Sequence, residues 1–257
     1  MSTRPTFDDI STSNSSLAAL ETDSSVTLKP SVCLARLPDG YFHEFSVSTI
    51  AQHVAKLCAL TAAQPFQIEV EPGPPDEPDR VGITVLSFDV AGMLGLLTGI
   101  LGASGFDIQS GSVYTLARDT RAADENTPRR RRGRRGFRRT SKSEPTLPVR
   151  RIVDRFVGAV PKGQSLHGLR ASLVDFLGSV LPEMLPGRDR EAARRMVNEA
   201  VADRLRSDER GVSGGLLPVQ LTFDTSDAAT RMTIVGEDTP FFLYSLSTAL
   251  SLQGVSV

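Results

Sequence analysis

"ITVLSFDVAGMLGLLTGILGASGFDI", Ile83 to Ile108, decides how this chain folds. β-Branched Val81, Ile83 and Val85 alternate with Gly82, Thr84 and Leu86, which is the period of a strand. Met93, Leu94, Leu97, Ile100 and Leu101 then recur at the spacing of one helix face, and Gly105 stands where a left-handed C-cap is wanted. "FDIQSGSVYTLA", Phe106 to Ala117, reads as a second strand. The stretch "MTIVGEDTPFFLYSLSTALSLQGVSV", Met232 to Val257, superposes on the first without a gap at a shift of 149 positions. Asp89 falls on Asp238, Leu94 on Leu243, Leu97 on Leu246, Leu101 on Leu250 and Gly105 on Gly254. Any two apolar helix faces can match, but a shared Asp before the helix and a shared Gly after it mark an internal repeat.

Working outward, "RRIVDRFVGAV" (Arg150 to Val160) reads as a third strand. A helical stripe follows at Leu166, Leu169, Leu173, Phe176, Leu177, Val180 and Leu181, stopped by Pro182 or Pro186. A second helix carries Ala193, Met196, Val197, Ala200, Val201 and Leu205 on one side, and "LPVQLTFDT" reads as a fourth strand. Residues 80–225 are thus expected to form an α+β, ferredoxin-like βαββαβ unit, with a basic insertion at 118–149 and an extra helix at 188–208. Residues 226–257 are expected to be the first half of a second unit, whose helix stripe Leu243, Leu246, Leu250 lacks a sheet of its own. That half-unit is expected to extend the first sheet or to pair with a second chain, with "PVQLTFDT" as the joining strand.

Upstream, residues 1–29 are rich in Ser and Thr and poor in apolar residues, so they are expected to be a disordered tail. Residues 30–79 form a lead-in. Pro38-Asp39-Gly40 reads as a turn, Ser46 or Ser48 as the cap of a helix carrying Ile50, Val54, Leu57 and Cys58, "FQIEVEP" as a strand, and Pro72 to Asp79 as a proline-rich linker.

The 257 residues, 40% hydrophobic, suffice for one or two ordinary cores. The formal net charge of -1 hides an asymmetry: Arg129 to Lys142 carries eight Arg and one Lys without an acid, leaving the remainder at -10. Phosphate neutralisation by Arg129, Arg130, Arg131, Arg132, Arg134 and Arg135 would suit nucleic acid or another polyanion, but the run's position between two paired strands argues instead for a solvated insertion, which such a loop tolerates. Cys33 and Cys58 lie far apart in sequence and match no metal-ligand spacing, which points to reduced thiols and a cytoplasmic setting. His43, His53 and His167 have no mutual spacing for a metal, and no stretch reaches 18 uninterrupted apolar residues, so neither metal, cofactor nor membrane is expected.

"SFDVAGMLGLLTGILGASGFDI" resembles the strand-to-helix signature of ACT domains, small modules that bind amino acids and regulate an attached enzyme. "PVQLTFDTSDAATRMTIVGEDTPFFLYSLSTALSLQGVSV", with its Asp-x-Pro-x-x-Leu-Tyr, is similar to the tandem ACT region of protein-PII uridylyltransferases and glutamine synthetase adenylyltransferases, and "LPDGYFHEFSVSTIAQHVAKL" resembles the stretch leading into it. The resemblance implies glutamine as the ligand, dimerisation through ACT units, and a nucleotidyltransferase domain or subunit as the regulated partner. It also implies that backbone N–H groups from Ala91 and Gly92 through Met93 and Leu94 meet the ligand's carboxylate at the helix start, that Asp89 engages its ammonium group or pins the loop, and that Ile108 and its strand complete the pocket. Asp89 acting only as a helix cap is the plain alternative.

Two departures matter: Ala91 stands where Pro is common, and the second copy has Pro240 but Phe241 where Gly is expected. The first copy is therefore the better candidate site, with Asp238 and Pro240 as its second-unit equivalents. The Asp-x-Asp beside a Gly-Ser turn that nucleotidyl transfer needs does not follow "GSVYT" at Gly111. Binding rather than turnover is expected, with polyanion binding and a non-binding dimerisation remnant as the rival readings.

Overall fold

The computed structural model describes residues 4–74, 76–77, 80–117, 150–161, 163–207, 219–225, 230–236 and 239–254; the Arg129–Lys142 run with the rest of the 118–149 insertion, and Asp238, lie outside the described residues. Its centre is the strand β2 (Arg80–Phe88), buried along its whole length after Arg80. A strand this rich in apolar and small side chains is stable only between two covering layers. Neighbours are all antiparallel in the order β1 (Phe66–Pro72), β2, β4 (Arg151–Ala159), β3 (Asp107–Thr115). The β3–β4 pair closes at Thr115 and Ile152, and the Leu116 N–H donates to the Arg151 carbonyl at 3.0 Å.

One face of the sheet is covered by α6 (Met93–Ala103), α7 (Leu166–Val180) and α8 (Arg190–Ser207). Leu97, Ile100, Leu169, Leu173, Leu177 and Val197 pack there against Ile68, Ile83, Val85 and Phe156. Gly105 takes the expected left-handed conformation (φ 81°). With it, the Phe106 N–H reaches the Leu101 carbonyl and the Gly105 N–H that of Gly102, the paired bonds that end a helix in a Schellman motif. Ser165 caps α7, whose end tightens into a 3₁₀ turn holding Pro182.

The other face carries five short helices: α1 (Phe7–Ser13), α2 (Ser16–Thr22), α3 (Pro30–Arg36), α4 (Asp39–Glu44) and α5 (Val47–Ala59). The expected tail is therefore corrected, because residues 7–22 fold. Thr6 and Asp9 form a reciprocal capping box, and Ile10 and Leu17 are wholly buried in a cluster with Leu57, Leu86, Phe88 and Val153. Pro38 opens α4 instead of a free turn, and Ser46 is the cap of α5. His53, fully buried on α5, bonds the Tyr41 hydroxyl (2.7 Å) and the Glu69 carboxylate (3.0 Å). Burial opposes ionisation of Glu69, but the hydrogen bond and charge of His53, with those of Lys56, hold its carboxyl down at about 2. Arg155 ties this layer to the sheet through Glu44, Glu71 and the Thr84 hydroxyl, each at 3.2 Å. Cys33 and Cys58, distant in sequence, are both buried and unbridged; the hydrogen bond that the Cys33 thiol donates to Cys58, and then burial, push the Cys33 thiol well up.

The second correction concerns "PVQLTFDT". Its strand, β5 (Gln220–Thr225), does not close the first sheet but pairs with β6 (Thr230–Val235) as a separate antiparallel hairpin. The edge next to β2 is already taken by β1, which the sequence placed in a lead-in. Leu221 opposes Ile234 as Ile68 opposes Val85, so β5–β6 repeats β1–β2. Ile68 is buried under α7, whereas Leu221 is 53% exposed, since among the described residues no second helix of that kind covers it. The helix α9 (Phe242–Leu252) then docks on α6. The chain is thus α+β with antiparallel sheets. Among the described residues, no helix is long and apolar enough to cross a membrane.

Candidate functional site

The two repeat-related helices meet about a local twofold centred on Thr98 and Ser247, counterparts in the repeat whose hydroxyls lie 3.4 Å apart in a buried contact. Glycine lets the backbones close. A Cβ on Gly95 would lie 3.0 Å from the Thr248 hydroxyl, and one on Gly99 2.8 Å from the Tyr244 ring. Thr248 is itself the counterpart of Gly99, and Tyr244 that of Gly95, so each contact has its image. The outer pair behaves alike: Gly92 faces Ser251 and Gly102 faces the Phe241 ring, whose nearest atom would be 2.7 Å from an added Cβ.

Both helices begin in the same way. The Met93 N–H donates to the Val90 carbonyl and the Phe242 N–H to that of Thr239; both helices start behind a left-handed residue without a side-chain cap. For α6 that residue is Gly92 (φ 87°), which has no Cβ to clash. For α9 it is Phe241 (φ 61°), the only non-glycine with positive φ among the described residues, at a strain of roughly 1–2 kcal/mol. Its ring, lying over bare Gly102, offsets that strain. Beyond Met93 and Phe242, whose N–H groups are taken by the preceding turn, the first-turn amides of both helices keep open donors at the positive end of the helix dipole.

At each end of the seam these features line an open cavity of about 280 Å³, and the two correspond under the repeat. The first is lined by Asp89, Ala91, Gly92, Met93 and Leu94, with Val113, Arg150 and Ile152 from the sheet and Ser247, Ser251 and Gly254 from α9 and its end. Every first-unit site residue expected from sequence meets there except Ile108, which lines the second cavity together with Pro240. Ile108 is thereby corrected from the first site to the second, because β3 leaves α6 at its far end.

Asp89 does not cap α6. Its carboxylate lies 3.2 Å from Arg150 Nε, and its N–H donates to the Arg150 carbonyl at 3.0 Å, so it pins the loop to the start of β4. Arg150 went unnoticed in the sequence, where it reads as one more cation beside the basic insertion; only the β2–β4 register, which sets Phe88 opposite Arg151, brings it to Asp89. Beneath the floor, on the same face as Ile152 and opposite Val113, Asp154 is wholly buried with neither carboxyl oxygen bonded. Burial first, and the charge of Asp89 second, push its carboxyl up to about 8, so it is uncharged at neutral pH. The cavity therefore offers helix-end amides and a neutralised Asp89–Arg150 pair, a polar mouth over an apolar floor suited to a small zwitterion.

Among the described residues no group of three or more His, Cys, Asp or Glu side chains could hold a metal ion. The chain matches no model of a known protein family, and no curated protein sequence matches it.

Proposed function

We propose that the chain is a regulatory module of the ferredoxin-like ACT type that binds a small amino acid in the Gly92 cavity, with glutamine the ligand favoured by resemblance to nitrogen-regulating nucleotidyltransferases. In this reading β1 stands in the place of the fourth strand of βαββαβ, and β5–β6–α9 is the corresponding start of a second unit. One observation carries the proposal: two cavities of equal size sit at repeat-related ends of a helix pair, each beside an uncapped helix start. The ligand's carboxylate is met by the open first-turn amides that follow Met93, beginning with that of Leu94, its ammonium by Asp89, and the aliphatic part of its side chain by the Val113–Ile152 floor. The site spans both units, so ligand favours their docked arrangement by its difference in affinity for docked and undocked states. A nucleotidyltransferase partner reads that arrangement. The α6–α9 pairing meets within one chain the contact that dimerising ACT units make between chains.

Calorimetric titration of the full chain with glutamine, then with the other amino acids, tests the reading. Gly92→Phe places a ring in the cavity and should abolish binding. Flat titrations throughout, or binding that survives this substitution unchanged, would sink the proposal.

A further inference from the structure

A third cavity, of about 220 Å³, lies between α8 and α9 over the start of α6, with Glu191, Arg194 and Asn198 on one wall, Tyr244 and Leu252 on the other and Leu96 at its floor. It has no image under the repeat, because α8 has no counterpart among the described residues of the second unit. Glu191, Arg194 and Asn198 stand at i, i+3 and i+7 of α8 and so form a row along one face of that helix. The Glu191 carboxylate and the Arg194 guanidinium, though neighbours of opposite charge, make no ion pair with each other or with any described residue. Arg194 instead reaches over bare Gly92, its Nη2 lying 3.8 Å from where a Cβ there would stand. Asn198 is fixed from the opposite wall: the Tyr244 hydroxyl donates to its Oδ1, which leaves Nδ2 as a donor. Along α8 the wall thus presents an acceptor, then a donor, then a donor.

We infer that this third cavity is a binding site for a guanine nucleoside. The edge of guanine carries the complementary order, the N1–H and N2–H donors first, then the O6 acceptor, then the N7 acceptor. Glu191 accepts from N1–H and N2–H, Arg194 donates to O6, and Asn198 Nδ2 donates to N7. One neutral ring satisfies both charges, which a simple anion or cation cannot do. Adenine places its N6 donor between two acceptors, so it sets a donor against Arg194 and an acceptor against Glu191. Cytosine has the guanine order on a smaller ring and leaves part of the cavity unfilled. Leu96, Leu252 and the Tyr244 ring supply apolar surface for the faces of the base, and the ribose stays at the open mouth.

The site does not depend on what the Gly92 cavity binds, and the test separates the two. The full chain is titrated by calorimetry with guanosine, inosine, adenosine and cytidine. Guanosine should saturate at one per chain. Inosine, which lacks the 2-amino group, should bind about tenfold more weakly, and adenosine and cytidine at least about tenfold more weakly. Glu191→Ala, on the exposed side of α8, should weaken guanosine about tenfold with the far-UV spectrum unchanged and bring it level with inosine, because the 2-amino group is then without its partner. No saturable guanosine binding, adenosine or cytidine binding as tightly as guanosine, or a guanosine-to-inosine ratio that Glu191→Ala leaves unaltered would each overturn the assignment. Failure of glutamine to bind while guanosine does would defeat the Gly92-cavity reading and leave this one standing.

Discussion

Asp154→Asn should make the protein's stability less dependent on pH, in a direction that the burial of Asp154 dictates. The carboxyl lies on β4, between Val85 of β2 and Val113 of β3, wholly buried, with neither oxygen hydrogen-bonded. Its ordinary value is 3.8 and its folded value about 8, raised by burial and by Asp89. The unfolded chain gives up this proton above about pH 4 while the folded chain keeps it to about pH 8, so across that window the folded state binds more protons and loses stability as pH rises. The effect is fully favourable below the unfolded value and spent above the folded one. Four pH units at about 1.4 kcal/mol each give roughly 6 kcal/mol in all. An asparagine cannot titrate. Its buried amide carries its own desolvation penalty, roughly 1–3 kcal/mol, but that penalty is the same at every pH. Urea unfolding followed by far-UV circular dichroism at pH 5, 6, 7 and 8 reads the difference between variant and wild type, in which all other titrations cancel. The difference should shift in favour of the variant by about 1 kcal/mol per pH unit. Parallel curves for the two proteins would refute the reasoning and place Asp154 in contact with water or with a partner.

Four further outcomes rest on the same geometry. Gly99→Ala should cost about 1–3 kcal/mol in a thermal melt, since its Cβ would lie 2.5 Å from Val197 and 2.8 Å from Tyr244; Gly178→Ala, with open space around it in α7, should instead stabilise by about 0.5–1 kcal/mol. Glu69→Gln should cost stability at neutral pH, up to about 3 kcal/mol, with the loss shrinking as pH falls from 4.5 toward 2, where wild-type Glu69 becomes protonated; a pH-independent loss would rule out the ion pair. Deleting residues 1–24 removes Ile10 and Leu17 from their cluster and should lower the unfolding free energy by roughly 3–6 kcal/mol; an unchanged denaturation midpoint would restore the view of this segment as a tail.

The sequence by itself determined the elements whose signals are local. The α6 stripe, its Gly105 cap, the α7 leucines and the β3–β4 pair stand where periodicity put them, because side-chain spacing and a left-handed glycine act within a few residues. The 149-residue repeat was legible for the same reason, and with it the Asp89–Leu94 loop of the candidate site. What only the tertiary structure decided depends on partners distant in the chain. A strand's alternation is the same whichever sheet it joins, so nothing in "FQIEVEP" or "QLTFDT" says that β1 takes the edge beside β2 while β5 pairs with β6. The four-residue connection between Thr225 and Thr230 favours the local hairpin, since closing a short loop costs less entropy than reaching back across the chain. Two buried side chains, Ile10 and Leu17, hold helices that composition marked as too polar to fold, because burial depends on which residues face a core and not on their average. The Asp89–Arg150 pair, the unbonded Asp154 and the paired cavities come into being only when β2, β4, α6 and α9 are side by side. Register and docking are set by packing across 60 to 150 residues of chain, a distance at which no spacing rule operates.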